Sequence, residues 1–310
     1  MKKVAIIGAG ITGLYLAWKL SKQNYEVRVF ESKKEIGKES CSGLISDRIL
    51  ESVPQAEEFT ENKIDKARIN FPNKTVTLTF SNDFLAVDRP AFDKNLGELA
   101  RSAGAEINLN NHVQQLPQEY DYVLGCGGPH SITREKLNLK DLDYRLGIRG
   151  FVDKSSESSV VDTWPVNQGF IWKIPRKERI EYGIIAPRQK ARPLLNDFLE
   201  ERGLSLQGVA ADLIGQNLNF SSNGKIALCG EAAGLTKGWS GGGVIWGLKA
   251  ADFLINTFPD LQKYRRKTKW FFGPKIFTTN IATDLVYKLG FNLPFLLPSH
   301  VKVDSDFLVS

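Results

Sequence analysis

At the start of the chain, two short apolar runs enclose an amphipathic segment. Val4–Ile7 is an uninterrupted apolar run that ends at Gly8, which is typical of a buried parallel strand. Apolar residues then recur at helical spacing, and Glu26–Phe30 forms a second strand-like run that leads to Glu31. The pattern predicts a strand–helix–strand unit.

Three glycines occupy the turn between the first strand and the helix. Gly8 permits a tight turn, Gly10 lets the backbone approach a pyrophosphate, and Gly13 allows the helix to pack closely on the strand. The helix N-terminus offers N–H groups and a partial positive charge to the phosphates. Glu31 can accept hydrogen bonds from ribose hydroxyls. The arrangement predicts a dinucleotide site; the alternative is a glycine-rich turn without a ligand.

Farther along, the apolar pattern switches between the strand and the helix period. Residues 65–80 alternate around Pro72-Asn73, which predicts a β-hairpin. Residues 91–103 repeat at helical spacing, with Gly104 as the stop signal. The remaining predicted strands lie at 120–124, 146–152, 160–164, 170–174, 180–186 and 226–228.

This order predicts a discontinuous α/β domain with a second domain inserted into it. We expect a nucleotide-binding domain from residues 1–60, 83–144 and 221–260. We expect a β-layer substrate domain from residues 61–82 and 145–220. Residues 261–310 are predicted to form a basic C-terminal helical segment.

The composition excludes several classes of protein. With 310 residues, 42% hydrophobic and 25% charged, the chain is neither disordered nor fibrous. No apolar run reaches the roughly 20 residues that a membrane-spanning helix needs. The cysteine usage suits a reducing compartment, so we expect a cytoplasmic protein. Three cysteines without CxxC spacing and three histidines argue against a disulfide scaffold and a metal site.

The net charge of +6 is concentrated at one end of the chain. Residues 261–310 hold eight basic and three acidic residues, which accounts for +5 of the total. Basic residues beside aromatic ones within 261–298 suit peripheral contact with an anionic membrane surface. The alternative is a helix pair that covers the core with a solvated charged face. Because no binding motif accompanies the charge, we expect no nucleic-acid partner.

Three further segments resemble parts of flavoenzymes. Asp121–Ser131 is similar to the middle fingerprint of flavoprotein monooxygenases and reductases, and Gly224–Gly234 is similar to their last fingerprint. Residues 87–93 begin a helix that places Arg89 to meet a cofactor. The set resembles FAD enzymes with the para-hydroxybenzoate hydroxylase type of fold. That resemblance implies an α/β protein: a Rossmann-like FAD-binding domain with an inserted antiparallel β-sheet substrate domain.

Two more motifs resemble the geranylgeranyl reductase family in particular. Cys41–Leu44 stands where that family has a cysteine-containing FAD motif. Phe170–Pro175, followed by Tyr182-Gly183, resembles its YxWxFP signature, which shapes the lipid cavity above the flavin. Within that family the chain would be a short, divergent member, because Glu231 and Gly127 replace two usual aspartates.

The glycine motif and the resemblance together imply a set of site residues. Phe170 and Trp172 would contact the substrate, with a plain β-layer core as the alternative. Cys41 is the candidate catalytic residue, either as a proton donor or only as part of the pocket wall. Cys126 and Cys229 are expected in the core. The implied cofactor-binding residues are Gly8, Gly10, Ile11, Thr12, Gly13, Glu31, Ser32, Cys41, Ser42, Gly43, Arg89, Gly127, Glu231, Gly242, Gly243 and Val244.

The resemblance implies an FAD-dependent oxidoreductase that reduces carbon–carbon double bonds of a geranylgeranyl or other isoprenoid lipid. Hydride would come from reduced flavin. Because the sequence has no second GxGxxG motif for a nicotinamide, an external electron donor is expected: NAD(P)H, a ferredoxin or a similar reductant. Two alternatives stay open, an FAD-dependent monooxygenase of the same fold and a non-catalytic flavin-binding protein.

Overall fold

A computed structural model describes residues 1–219 and 224–308 of the chain. The domain boundary that the sequence predicts at 220/221 lies outside the described residues, as does the end of the predicted C-terminal segment, 309–310.

The described residues form strands and helices that alternate in parts of the chain, with runs of consecutive strands at β4–β5 and β8–β11. The strands are β1 (Lys3–Ile7), β2 (Glu26–Phe30), β3 (Leu44–Ser46), β4 (Thr60–Phe71), β5 (Lys74–Val87), β6 (Glu106–Asn108), β7 (Tyr122–Gly125), β8 (Asp143–Val152), β9 (Val160–Val166), β10 (Gly169–Pro175), β11 (Ile180–Ala186), β12 (Gln207–Gln216), β13 (Ile226–Leu228) and β14 (His300–Val303). The helices are α1 (Ile11–Ser21), α2 (Ile49–Ser52), α3 (Arg89–Ser102), α4 (Ile132–Lys136), α5 (Arg188–Glu200), α6 (Val244–Thr257) and α7 (Leu261–Asn292). Short 3₁₀ helices occur at Pro54–Phe59, Gly230–Ala233 and Pro294–Leu296.

A five-stranded parallel sheet holds the N-terminal strand at its centre. Its order is β13-β7-β1-β2-β6, and each neighbouring pair runs parallel. Strand β1 has four consecutive buried residues, as expected for a strand covered on both faces. Because parallel strands place their carboxyl ends at one edge, the turns after β1, β2 and β7 lie together there.

A nine-stranded, mostly antiparallel sheet forms the second layer. Its main path is β12-β8-β11-β10-β9-β4-β5-β14, with β3 paired to β5. The predicted hairpin is present as β4 and β5 and is longer than the 65–80 that the sequence suggested. Strands β8 to β11 also form where the apolar alternation predicts them.

Helices α1, α3 and α6 pack with the parallel sheet into one buried cluster. Helix α3 is capped by Asp88, whose side chain accepts a hydrogen bond from Ala91 N at 3.2 Å. Pro90 occupies the first turn, where its missing N–H leaves no intrahelical bond unmade. On α6, the indole of Trp246 is fully buried and anchors the cluster.

The C-terminal segment differs from the helical one predicted for 261–310. Helix α7 spans 32 residues, and the 3₁₀ turn at Pro294–Leu296 follows it. The chain then returns to the second sheet, where β14 pairs in parallel with β5. The alternation of β14 is too short to stand out in the sequence, and its pairing partner lies far away along the chain. Among the described helices, none is long and apolar enough to cross a membrane.

The tail after β14, residues 304–308, is fastened to the body of the protein by an ion pair. The guanidinium of Arg48 binds both carboxylate oxygens of Asp304, one of them at 3.0 Å. The Asp304 carboxylate also accepts hydrogen bonds from the backbone N–H groups of Asp306 and Leu308. Burial raises the pKa of Asp304, but the hydrogen bonds from Arg48 and from these two amides outweigh it and lower the pKa to about 2.

The Arg48–Asp304 pair makes folding stability depend on pH. Since the folded-state pKa lies below the ordinary 3.8, the stabilisation is complete above about pH 4 and is lost as the pH falls towards 2. We expect Asp304→Asn to lower the free energy of unfolding by about 2 kcal/mol at pH 7, and the deficit to shrink towards pH 3. Denaturant unfolding at several pH values measures both quantities.

The matched control is Glu57→Gln, which breaks the exposed Lys63–Glu57 pair and should change stability by less than about 0.5 kcal/mol. A deficit for Asp304→Asn that is the same at pH 3 and pH 7 would contradict the assignment.

Candidate functional site

A cavity of about 940 Å³ opens between the parallel sheet and the antiparallel sheet. One part, the nucleotide arm, lies at the carboxyl edge of the parallel sheet and is lined by Gly8, Gly10, Thr12, Glu31, Ser32, Gly127 and Ser131. The other part, the apolar arm, lies between the second sheet and α7. It is lined by Ile69, Phe71, Val76, Leu78, Phe80, Val161, Phe170, Trp172, Ile174, Thr283, Val286 and Tyr287. The two arms join around Cys41 and the glycines that precede α6.

The turn between β1 and α1 is built so that backbone, not side chains, faces the nucleotide arm. Gly8 has φ +108°, a conformation that favours glycine, and its N–H donates to Phe30 O at 2.8 Å. A Cβ on Gly13 would lie 2.1 Å from Gly8 O. A Cβ on Gly10 would have no atom within 4 Å. The space beside Gly10 therefore belongs to the cavity.

Glu31 lies at the end of β2 with its carboxylate held by backbone amides. One oxygen accepts from Ala9 N at 2.7 Å, and the other accepts from Lys33 N at 2.9 Å. The Ser32 hydroxyl donates to the second oxygen at 3.2 Å. These donors fix the carboxylate at the rim of the nucleotide arm, and Oε2, which accepts one of the three bonds, keeps a lone pair for a further donor.

Cys41, Arg89 and Asp93 form a buried cluster where the arms meet. The Arg89 side chain is 3% exposed; it binds Asp93 at 2.9 Å and donates to Cys41 Sγ at 3.0 Å. Burial lowers the pKa of Arg89, but the Asp93 carboxylate outweighs it and raises that pKa. Arg89 therefore stays charged beneath the Cys41 loop. The guanidinium of Arg89 is thus bound by two protein groups, Asp93 and Cys41. The sequence analysis did not single out Asp93.

Glu231, which the resemblance implies as a cofactor-binding residue, has a protein partner as well. Lys38 Nζ binds Glu231 at 3.1 Å and Asp212 of β12 at 3.4 Å. The attraction of Glu231 is the largest influence on the Lys38 pKa and raises it against the effect of burial. Lys38 thus links the loop after β13 to the second sheet across the cavity. The sequence alone offered no signal for Lys38.

Three residues at the start of α6 present backbone to the cavity. Gly242, Gly243 and Val244 line it, and the helix begins at Val244. Lys237 N donates to Gly242 O at 3.0 Å, which closes the preceding glycine loop. The amide end of α6 therefore offers N–H groups and a partial positive charge to the cavity.

Phe170 and Trp172 both face the apolar arm, as expected for residues two apart on β10. The Trp172 indole lies against Gly183 of β11, where a Cβ would be only 2.3 Å from the ring. Its Nε1 donates to the buried Glu181 at 2.9 Å. Burial raises the pKa of Glu181, and Arg176 opposes that shift from 3.0 Å. Arg176 also donates to Ser42 O, so the Trp172 wall and the Cys41 loop share one network.

Most of the residues that the sequence singles out line this cavity. Ile11 and Ser42 are among them, but Gly13 and Gly43 are not. Gly43 has φ +63°, and a Cβ there would lie 2.2 Å from Val87 O. Gly13 and Gly43 leave room for close backbone packing, as the glycine motif predicts for Gly13, and a cofactor contact at either glycine stays a prediction. Cys126 departs from its expected place in the core, because it forms part of the cavity wall.

Comparison with known proteins agrees with this geometry. Residues 6–51 match the family model of the NAD(P)-binding Rossmann-like domain. Digeranylgeranylglycerophospholipid reductase 1 of Methanococcoides burtonii is 25% identical, over 93% of this chain and 84% of its own length. Digeranylgeranylglycerophospholipid reductase 3 of Methanosphaera stadtmanae is 26% identical, over 78% of this chain and 73% of its own length. The chain is therefore similar, over most of its length, to proteins named as digeranylgeranylglycerophospholipid reductases.

Solved structures of flavin-dependent enzymes share the fold of this chain. A geranylgeranyl bacteriochlorophyll reductase-like protein from Thermoplasma acidophilum superimposes with a TM-score of 0.78 at 19% identity, covering 94% of this chain and 88% of that protein. An oxygenase acting on 2-methyl-3-hydroxypyridine-5-carboxylic acid has a TM-score of 0.71 at 18% identity, covering 95% and 94%. These likenesses show the para-hydroxybenzoate hydroxylase type of fold.

The nucleotide arm fits FAD. The open space beside Gly10 faces the amide end of α1, which suits a pyrophosphate. Glu31 offers carboxylate oxygens to a ribose. Ser131 Oγ is buried in the arm and has no hydrogen-bond partner among the residues that the structure describes. The start of α6 offers N–H groups to a negatively charged ring edge.

Two glycine variants distinguish a glycine that borders the cofactor space, Gly10, from one that is needed for backbone packing, Gly13. Gly10→Ala puts a methyl group into the nucleotide arm. We expect it to weaken FAD binding at least about tenfold and to change apoprotein stability by under about 0.5 kcal/mol. Gly13→Ala forces a methyl group against Gly8 O, and we expect it to destabilise the apoprotein by about 1–3 kcal/mol. FAD titration and thermal unfolding of the apoproteins measure the two effects.

Each glycine variant is the control for the other. Equal loss of apoprotein stability in both variants would contradict the view that Gly10 borders open cofactor space.

Proposed function

We propose that this protein reduces carbon–carbon double bonds of a geranylgeranyl or related isoprenoid lipid. The protein is an FAD-dependent oxidoreductase. The proposal that the substrate is a lipid rests on one observation: the nucleotide arm and the apolar arm belong to the same cavity. The names of the archaeal relatives support the same substrate class.

The apolar arm is suited to a prenyl chain because hydrocarbon side chains surround it on both walls. The sheet contributes Ile69, Leu78 and Phe170, and α7 contributes Val286 and Tyr287. Burying apolar surface stabilises a bound chain by about 25 cal/mol per Å².

Bound FAD, once reduced, would supply the hydride that one alkene carbon receives. The other carbon needs a proton, and we assign it to the thiol of Cys41 at the junction. Arg89 Nη1 and Gly43 N both donate hydrogen bonds to Cys41 Sγ, at 3.0 and 3.4 Å. Such donors stabilise the sulfur after it has released a proton. Isolated alkenes are poor hydride acceptors, so the walls must also hold the double bond in position.

An external donor would supply the electrons. The sequence carries one GxGxxG motif, and in the structure its turn faces the nucleotide arm. We therefore propose reduction by transiently bound NAD(P)H, a ferredoxin or a similar donor. Anaerobic mixing with NADPH or with reduced ferredoxin, followed by the loss of flavin absorbance, identifies the donor.

The first test of function is anaerobic and uses the FAD-loaded protein reduced with dithionite. After geranylgeranyl diphosphate or a geranylgeranylated glycerol lipid is added, we expect flavin to reoxidise and the lipid to gain one hydrogen pair per saturated bond. Absorbance and mass spectrometry measure these changes. Unchanged lipid, together with rapid oxygen consumption on adding NADPH and an aromatic substrate, would favour a monooxygenase instead.

The same assay tests the thiol. Cys41→Ala removes the proposed proton source, and we expect it to slow flavin reoxidation by lipid about 100-fold while FAD binding persists. Cys126→Ala, at the other free cysteine of the cavity wall, is the matched control and should slow it less than about threefold. Equal rates for the two variants would remove Cys41 from the chemistry.

We also propose that α7 rests on a membrane surface. One face of the helix lines the apolar arm through Thr279, Thr283 and Val286. Bulky apolar side chains point outward from the helix and the 3₁₀ turn after it: Trp270, Phe277, Ile281, Leu285, Phe295 and Leu296. Exposed basic side chains accompany them, including Arg266, Lys267, Lys269 and Lys288. An anionic lipid surface would cover both kinds of group.

Vesicle flotation tests this surface. We expect the protein to float with vesicles that contain anionic phospholipid, and the paired change Trp270→Ser with Phe295→Ser to reduce the bound fraction at least about fivefold. Val209→Ser, which removes an exposed apolar residue from β12, should leave binding unchanged. Equal flotation of all three proteins would contradict the proposal.

A further inference from the structure

The C-terminal tail reaches the cavity and places a buried carboxylate, that of Asp306, beside it. Residues 304–307 line the cavity. Asp306 is 0% exposed, and its carboxylate accepts from the Ser46 hydroxyl and binds Lys237 Nζ. The backbone oxygen of Asp306 accepts from Trp246 Nε1 at 3.0 Å, which ties the tail to the first turn of α6.

Lys237 carries the matching positive charge underneath the glycine loop. Its side chain is 7% exposed. The ammonium donates to Asp306 and to Ser305 O, the latter at 3.3 Å. A Cβ placed on Gly242 would lie 4.0 Å from Lys237 Nζ. The ammonium therefore lies next to the glycines whose amides begin α6.

The charges packed around this point balance one another. Arg48 and Lys237 are the cations, and Asp304 and Asp306 are the anions. Arg48 Nη1 lies 3.4 Å from Asp306, but its main partner is Asp304. Removing the charge of Lys237 leaves the group net negative, and removing that of Asp306 leaves it net positive. Since the group is buried, such an excess is weakly screened.

We infer that Lys237 and Asp306 form a charge pair that sets the reduction potential of the flavin held at the start of α6. The inference rests on the proposed FAD site. Charge close to the pyrimidine side of a flavin tunes its electronics, because reduction places negative charge there. The amide end of α6 and the ammonium of Lys237 both favour that negative charge, and Asp306 offsets the ammonium.

The C-terminal tail thus acts on the cofactor without touching the reacting atoms. Asp306 is a positioning residue in this assignment, because it holds the Lys237 ammonium and, through Trp246, the first turn of α6. A tail with only a structural role would alter stability and cofactor affinity. It would not move the potential in opposite directions for opposite charge changes.

The test measures the midpoint potential of bound FAD by dye-coupled anaerobic titration. We expect Asp306→Asn to favour the reduced flavin and Lys237→Gln to disfavour it. Each change should alter the equilibrium constant for reduction about tenfold, which is about 30 mV for a two-electron couple. The double variant restores charge balance and should return to within about threefold of the unmodified protein.

The double variant also protects the test against misfolding, because neither buried charge is then left without its partner. Lys237→Met is a second way to remove the cation and should shift the potential in the same direction as Lys237→Gln. The matched control is the Arg68–Asp162 pair at 2.7 Å, since Asp162 is buried on the sheet face that points away from the cavity. Asp162→Asn and Arg68→Gln should leave the potential unchanged.

The possible outcomes separate this inference from the function on which it rests. Unshifted potentials in FAD-loaded variants, or shifts of the same sign in both single variants, would overturn the charge-pair assignment and leave the proposed function standing. An unmodified protein that binds no FAD would overturn both.

Discussion

The site depends on one close backbone approach, between the turn after β1 and the first turn of α1. Gly8 has a positive φ, and Gly13 lies very close to Gly8 O. A Cβ on Gly13 would be only 2.1 Å from that oxygen, so the position has no room for a side chain. That approach directs the amide end of α1 along the carboxyl edge of the parallel sheet. The cavity can therefore receive a phosphate beside Gly10, where no protein atom intrudes.

The two arms of the cavity come from two kinds of sheet. In the parallel sheet every strand is paired in the same direction, so turns and helix ends with polar backbone collect at one edge. The antiparallel sheet alternates its side chains and turns an apolar face to the cavity. Helix α7 closes that face, and Tyr287 fastens the helix to it by donating to Gly169 O at 2.8 Å. A charged cofactor and a hydrocarbon chain can thus share one enclosure.

Three buried ion pairs lie behind the loops that meet at the junction of the arms: Arg89–Asp93, Arg176–Glu181 and Lys237–Asp306. Burying a charged pair costs desolvation that its attraction barely offsets, so such pairs are weak contributors to stability. Their geometry is specific, however, because an unpaired partner would be strongly unfavourable. The pairs therefore hold the Cys41 loop, Trp172 and the glycine loop in defined places.

Local patterns of the sequence determined the strand–helix–strand unit, the glycine turn with Glu31, the hairpin and the strands around Trp172. Each of these depends on a backbone period or on turn chemistry within a few neighbouring residues, and such rules act wherever the segment lies. The same rules identified Gly8, Gly10 and Glu31 of the nucleotide arm, and the family resemblance added Thr12, Ser32 and Gly127.

Only the tertiary structure decided the partners of those residues. Lys38 meets Glu231, Arg176 meets Ser42, and Asp306 meets Lys237 across long stretches of chain. The return of β14 to the second sheet and the inward face of α7 were likewise undetermined by sequence. The physical reason is that ion pairs and packing faces depend on which surfaces the whole fold brings together, and no local period records that choice.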